Sequence, residues 1–255
     1  MSGVKIDGRR IEILDLPGES GAGAVVLLHE GLGSIELWRG LPADLNRMTG
    51  RRVVAFSRYG HGRSEPPTRP RSPAFFHEEA LAVLPALRAS LELDDAVLLG
   101  HSDGASIALI HAAHHPVGGL VLIAPHVFVE PVTVEAIRGA REAFVEGSLR
   151  ERMARYHDDV DAAFWGWCDV WLDPEFAAWS LEAEAARVTA PPLLIQGAAD
   201  PYGTLEQLDR IEAQMPAAKR LVLAGGHSPH LEHREVVLGA TADFLASLPR
   251  SSAAV

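Results

Sequence analysis

The sequence predicts an α/β fold: a mostly parallel sheet flanked by helices on both sides. Three observations carry this. Short unbroken apolar runs recur at 24–28, 53–56, 96–99, 120–123, 193–195 and 221–223, and runs of that kind belong to strands buried on both faces. Helix-spaced stretches alternate with them, the rhythm of a parallel sheet covered by helices. The rhythm stops between 126 and 190 and then resumes, so a helical segment is inserted between two strands of one sheet. A chain of 255 residues is ample for one large core.

Taken in order, Val4, Ile6, Ile11 and Ile13 alternate around Asp7-Gly8 and predict strand, turn and strand over 4–14. Residues 17–23 form a loop. The strand at 24–28 ends in a glycine-containing loop, 29–34, and a helix follows through Trp38, Leu41 and Leu45. The strand at 53–56 runs into a second glycine-rich loop, 57–64, and a proline-rich stretch to Pro73. Leu81, Leu84, Leu87 and Leu91 give helical spacing over 76–91, where Pro85 should kink the helix. The strand at 96–99 leads through a tight turn into a helix that stops at His114-His115-Pro116. A strand at 120–123 is closed by Ala124-Pro125-His126. The 126–190 segment reads as several helices and holds four of the five tryptophans. A strand at 193–195, a helix at 205–214, a strand at 220–223 and a helix at 234–248 complete the pattern. The tail 251–255 reads as frayed. The core is therefore 1–125 with 191–255, and 126–190 is a helical lid above the carboxyl edge of the sheet, where ligand sites lie in such folds.

Composition narrows the function. Hydrophobic residues make up 47% and charged residues 22%, an ordinary globular balance. A net charge of −11 argues against nucleic acid, whose backbone calls for clustered Lys and Arg. Cys168 is the only cysteine, so no disulfide framework or CxxC site exists, and a buried structural thiol is expected. The N-terminus lacks an apolar signal region, and no apolar run approaches the roughly 18 residues of a membrane helix. A cytoplasmic protein without membrane contact is expected. Its partner would be a small-molecule substrate, and a homodimer is compatible with the composition.

Chemistry centres on Gly100-His101-Ser102-Asp103-Gly104. A strand turns into a helix there with a serine at the apex, and glycines two residues either side relieve crowding at a strained turn. This G-x-S-x-G pattern exposes a hydroxyl beside a helix N-terminus, which favours negative charge. The glycine frame centres on Ser102 and not on Asp103. A serine needs a base held by a carboxylate. Asp200 follows the strand at 193–195, and His227 follows the strand at 220–223 behind Gly225-Gly226. His230 and His233 are close rivals, but the glycine turn favours His227. Histidines at 111, 114, 115, 230 and 233 have helical spacing but no HExxH pattern, so no metal is expected. The glycine pairs 31/33 and 60/62 lack the third glycine of a dinucleotide fingerprint, and no cofactor is expected.

These segments resemble the α/β-hydrolase superfamily over nearly the whole chain. The resemblance rests on His29-Glu30-Gly31-Leu32-Gly33, the loop Ser57 to Ser64, Gly100 to Gly104, and the Asp200 and His227 segments. It implies an α/β-hydrolase fold in which Ser102 attacks, His227 shuttles the proton and Asp200 orients the imidazole. It also implies an oxyanion hole made by the Asp103 N–H with an N–H of the 29–34 loop, from Gly31 or alternatively Leu32. Relatives commonly have His-Gly-x where this chain has His29-Glu30-Gly31. Glu30 is thereby left beside the site, to pair with Arg58 or to touch substrate. Glu30, His126, Trp165 and Trp167 are candidate pocket residues. Trp165 and Trp179 share a face if one helix carries both. The expected activity is hydrolysis of a small, largely apolar carboxylic ester, thioester or lactone through an acyl-enzyme on Ser102. The same triad in lidded relatives also cleaves carbon–carbon bonds, releases N-terminal proline or makes peracids. A non-catalytic, receptor-like binding protein is the reading of a different class.

Overall fold

The computed structural model of the chain describes residues 2–19 and 23–249. Eight strands form one sheet: β1 (Ser2–Ile6), β2 (Arg9–Leu16), β3 (Val25–Leu28), β4 (Val53–Phe56), β5 (Val97–His101), β6 (Gly119–Ile123), β7 (Pro192–Gly197) and β8 (Lys219–Leu223). Their spatial order is β1-β2-β4-β3-β5-β6-β7-β8. The predicted hairpin is β1–β2, and β2 also pairs antiparallel with β4. Every later pairing is parallel. Strands β3 to β7 are buried along their whole length, as their unbroken apolar runs require. The outermost strand, β8, is only partly covered.

Alternation along the strands feeds two cores. Val26, Leu28, Leu98 and Leu122 face one layer, and Val25, Leu27, Leu99 and Ile123 face the other. Each such side chain contributes roughly 1.5–3 kcal/mol of transfer free energy. The helices on the two faces are α1 (Leu41–Thr49), α2 (Phe75–Glu78), α3 (Leu84–Ser90) and α4 (Asp103–His114), with further helices C-terminal to them. Helix α4 is buried on nearly every side, consistent with its Ala- and Ile-rich sequence.

Pro85 acts differently from the expected kink. Between α2 and α3 the chain widens into a π turn over Glu79–Val83, in which the Leu84 N–H donates to the Glu79 carbonyl five residues back. The next partner in that pattern would be residue 85, whose ring nitrogen carries no hydrogen. The Ala80 carbonyl is instead satisfied by His111 Nδ1 of α4 at 2.7 Å. His111 thus completes a helix that a proline interrupts.

Between β6 and β7 lie α5 (Pro131–Val145), α6 (Leu149–Met153), α7 (Val160–Leu172), a 3-10 turn at Pro174–Ala178 and α8 (Glu182–Ala185). Trp165 and Trp179 do not share a helix, because α7 ends before Asp173-Pro174. Trp179 packs with Trp171 and Phe176 against Phe76 of α2. Cys168 is fully buried in α7, and burial pushes its thiol up to about 11. After β7 come α9 (Glu206–Gln214), α10 (Pro229–Glu232) and α11 (Arg234–Ser247). Among the described residues no helix is long and apolar enough to cross a membrane. Residues 20–22 of the expected loop and the tail 251–255 lie outside the described residues.

Candidate active site

The turn from β5 to α4 places Ser102 at φ 53° and ψ −120°, a left-handed conformation for a residue with a Cβ. Such strain costs about 1–3 kcal/mol and persists only where surroundings enforce it. Here the Ser102 N–H donates to Ile123 O of β6 at 2.9 Å, and its carbonyl accepts from Ala105 N at 2.8 Å. The flanking glycines are required by contact. A Cβ on Gly100 would lie 2.4 Å from Gly104 O, and one on Gly104 would lie 2.0 Å from Leu28 O. The elbow therefore lies against the end of β3, where the 29–34 loop begins.

Ser102, His227 and Asp200 come together from three strand ends. Ser102 Oγ lies 2.9 Å from His227 Nε2. His227 Nδ1 lies 2.9 and 2.7 Å from the two Asp200 carboxylate oxygens. Burial alone would raise the Asp200 carboxyl, but the hydrogen bond and charge of His227, with the Tyr202 N–H at 2.8 Å, hold it below its ordinary value. Burial lowers His227, and Asp200 offsets this only in part, so the imidazole is neutral near pH 7. His230 is buried against Trp38 and His101, and His233 bonds to Ala224 O. Neither rival reaches Ser102.

His101, the residue before the serine, approaches His227 O with Nε2 at 2.7 Å and so anchors the histidine's main chain. Its Nδ1 stands 3.6 Å from the Glu30 carboxylate. The expected pairing of Glu30 with Arg58 does not form. The buried Arg58 guanidinium instead donates to the main-chain carbonyls of His29, at 2.5 Å, and Glu30, at 2.8 Å.

A cavity of about 190 Å³ opens over Ser102. Of the residues the sequence singled out, Gly31, Leu32, Asp103, Glu30, His126 and Trp167 line it. Trp165 does not. It lies on the opposite side of α7, packed on Phe144 and Phe164. The helical period explains the split: Trp167 and Trp171, four residues apart, share the inward face, whereas Trp165 lies two residues from Trp167. Trp171, Thr133, Ile137 and Tyr202 also line the cavity and were not singled out from sequence. The i, i+4 spacing signalled Trp171, and adjacency to Asp200 signalled Tyr202. Nothing local marked Thr133 or Ile137.

Asp103 is among the residues that line this cavity, and its carboxyl is buried. Oδ1 accepts from Trp171 Nε1 at 3.2 Å, while Oδ2 is buried and takes no hydrogen bond from a described residue. Burial raises this carboxyl to about 6, partly countered by Arg58 and Trp171. His126 is buried between Trp171 and His227, and burial lowers it to about 3. A larger groove of about 650 Å³ at the opposite edge of the sheet is lined by Asp15, Glu92, Asp94 and Asp95 and carries no nucleophile among its described residues. Among the described residues no group of three or more His, Cys, Asp or Glu side chains is arranged to hold a metal ion.

Known proteins share this arrangement of strands. The chain is 29% identical over 234 residues to the serine hydrolase BPHL of Homo sapiens, covering 87% of this chain and 79% of that protein. The enol-lactonase of Burkholderia xenovorans LB400 has the same fold, with a TM-score of 0.76 at 20% identity over 96% of this chain and 100% of that one. The proline iminopeptidase of Mycobacterium smegmatis gives 0.73 at 19% identity over 96% and 97%. A family model described as Alpha/beta hydrolase family matches residues 25–240, from the start of β3 into α11, and with the strained serine turn between β5 and α4 it places the chain in the α/β-hydrolase family.

Proposed function

We propose that this hydrolase cleaves a small carboxylic ester, thioester or lactone through an acyl-enzyme on Ser102. The observation that carries the reading is the unbroken chain Ser102 Oγ, His227 Nε2, His227 Nδ1, Asp200, with every step between 2.7 and 2.9 Å. Ser102 Oγ adds to the substrate carbonyl while its proton passes to His227 Nε2. Asp200 holds the tautomer and supports the imidazolium. The carbonyl oxygen, now an oxyanion, accepts from the Asp103 N–H at the start of α4 and from the Gly31 N–H, with Leu32 as the alternative donor. Collapse expels the alcohol, protonated by His227. Water then attacks the acyl-enzyme with His227 as base and frees the acid.

The helical insertion acts as a lid in this reading, since Thr133, Ile137, Trp167 and Trp171 close the cavity from its side. About 190 Å³ is below the roughly 300–1,000 Å³ of sites for drug-sized ligands and favours short acyl groups. Apolar walls from Leu32, Ile137, Trp167 and Trp171 favour an aliphatic or aromatic acyl chain, while Glu30 and Asp103 repel an anionic one. The test is Ser102→Ala assayed on short p-nitrophenyl esters, with a fluorophosphonate probe on the unmodified protein. A loss of turnover on the order of 10⁶-fold and stoichiometric labelling of Ser102 are expected. Surviving turnover removes Ser102 as nucleophile, and absence of labelling favours a binding protein.

One observation favours a second reading. The part-exposed Glu30 carboxylate at the cavity suits a substrate bearing an ammonium group, as in the release of an N-terminal residue. Rates on proline p-nitroanilide against p-nitrophenyl acetate separate the two: a dominant amidase rate selects the second.

A further inference from the structure

Four consecutive carbonyls of the 29–34 loop are each held by a donor side chain. Arg58 donates to His29 O and Glu30 O, His61 Nε2 to Gly31 O at 2.9 Å, and His157 Nε2 to Leu32 O at 3.0 Å. Gly33 N–H closes the turn onto Glu30 O at 3.0 Å. A trans peptide points its N–H opposite to its C=O. Holding the Glu30 and Gly31 carbonyls this way turns the Gly31 and Leu32 N–H groups to the other side, and the Leu32 carbonyl held by His157 shares its peptide with the Gly33 N–H, which fixes Glu30 O and through it the Gly31 N–H.

His157 is the exception among these donors. Arg58 and His61 belong to the neighbouring core loop, whereas His157 lies between α6 and α7 in the helical insertion. It is 3% exposed and makes two bonds of opposite sense. Nδ1 accepts from Gly62 N–H at 3.1 Å, which obliges Nε2 to carry the hydrogen given to Leu32 O. The next residue repeats the attachment, with Asp158 N–H donating to Gly62 O at 2.9 Å. One imidazole thereby ties the 29–34 loop, the 57–64 loop and the insertion together. Burial lowers its basicity, in keeping with a ring whose second nitrogen already accepts a peptide hydrogen.

We infer that His157 is a positioning residue through which the insertion completes the oxyanion hole: the 29–34 loop holds its donor geometry only while the insertion is seated. The inference rests on the serine-hydrolase reading above. A residue acting only on the shape of the cavity would change KM. One that fixes the oxyanion donors changes kcat and the affinity of transition-state mimics.

The experiment compares His157→Leu, which removes both bonds, with His157→Gln, which keeps one acceptor and one donor at similar separation. Asp158→Ala is the control, since it cuts only the exposed ion pair with Arg63 and leaves the main-chain bond to Gly62. Turnover of p-nitrophenyl acetate and inhibition by a short alkyl trifluoromethyl ketone are measured on each. His157→Leu should lower kcat by about 10- to 100-fold with KM within about 2-fold, and weaken the ketone by the same factor as kcat, given that a lost oxyanion donor costs about 10²–10³. His157→Gln should recover most of the loss, and Asp158→Ala should match the unmodified protein. Wild-type kcat in His157→Leu, a change confined to KM, or a ketone affinity that does not follow kcat overturns the inference. Should His157→Leu fail to fold, nitrogen-15 spectra of histidine-labelled wild-type protein decide. A neutral His157 with Nε2 protonated at pH 7 supports the inference, and the Nδ1-protonated tautomer or an imidazolium overturns it. Stoichiometric fluorophosphonate labelling of Ser102 throughout keeps a failure here separate from a failure of the serine-hydrolase reading.

Discussion

The cavity over Ser102 has two walls built by different physics. The sheet-edge wall, from residues 30–32, 102–103 and 227, is fixed by directional hydrogen bonds among buried polar groups. The wall from the insertion, Thr133, Ile137, Trp167 and Trp171, is fixed largely by packing. Directional bonds are met or lost, and a buried group left without its partner costs about 1–3 kcal/mol. Packing responds by degrees. The first wall should therefore fail abruptly under substitution, and the second should retune.

The strongest way to break the polar wall is Asp200→Asn. It leaves the fold intact and inverts the hydrogen-bond sense at His227 Nδ1, so kcat should fall about 10⁴-fold, or about 5.5 kcal/mol, in a steady-state assay. Gly104→Ala attacks the same wall through the backbone. Its Cβ would meet Leu28 O at 2.0 Å, so either α4 or β3 must move. A stability loss of roughly 3 kcal/mol, read by urea melts, is expected. The packed wall should behave otherwise. Ile137→Ala should raise kcat/KM for octanoyl over acetyl p-nitrophenyl esters about tenfold, with kcat on the acetyl ester little changed. A uniform loss on both esters would show that the insertion does more than shape the cavity.

The smallest effect sharpens the boundary between the walls at Asp103. Its folded carboxyl, raised to about 6 from 3.8, binds a proton more tightly than in the unfolded chain. Stability is lost as pH rises through about 6, because the charged form is the one that burial penalises. Asp103→Asn keeps an acceptor for Trp171 and should raise the melting temperature by a few degrees at pH 8 and hardly at all at pH 4, on the order of 1 kcal/mol.

How far the sequence could be read follows the same division. Five buried strands and the partly covered β8 announced themselves as apolar runs, and Ser102, Asp200 and His227 were legible because each follows one of those runs. Local rules place residues at strand ends, and the topology then brings the ends together. The insertion was legible only as helices. Trp165 was taken for a pocket residue because composition marks an aromatic segment without saying which face turns inward. His157, Thr133 and Ile137 gave no local signal, since their importance depends on how α5 to α7 dock. Pro85 was recognised as a disturbance, but the remedy, a π turn capped by His111, depends on a residue 26 positions later in sequence.

The partly covered strand β8 bears on how the enzyme would inactivate. Ser102 is joined to α4 and β5, among the most enclosed parts of the chain, whereas His227 hangs from the end of the outermost strand. Amide exchange should be slowest along β5 and α4 and much faster along β8, because local opening follows the density of buried contacts. Ser102 and His227 should therefore open in separate cooperative units. Mild denaturant should detach the base while the serine stays in place, so catalysis fades before the molecule unfolds.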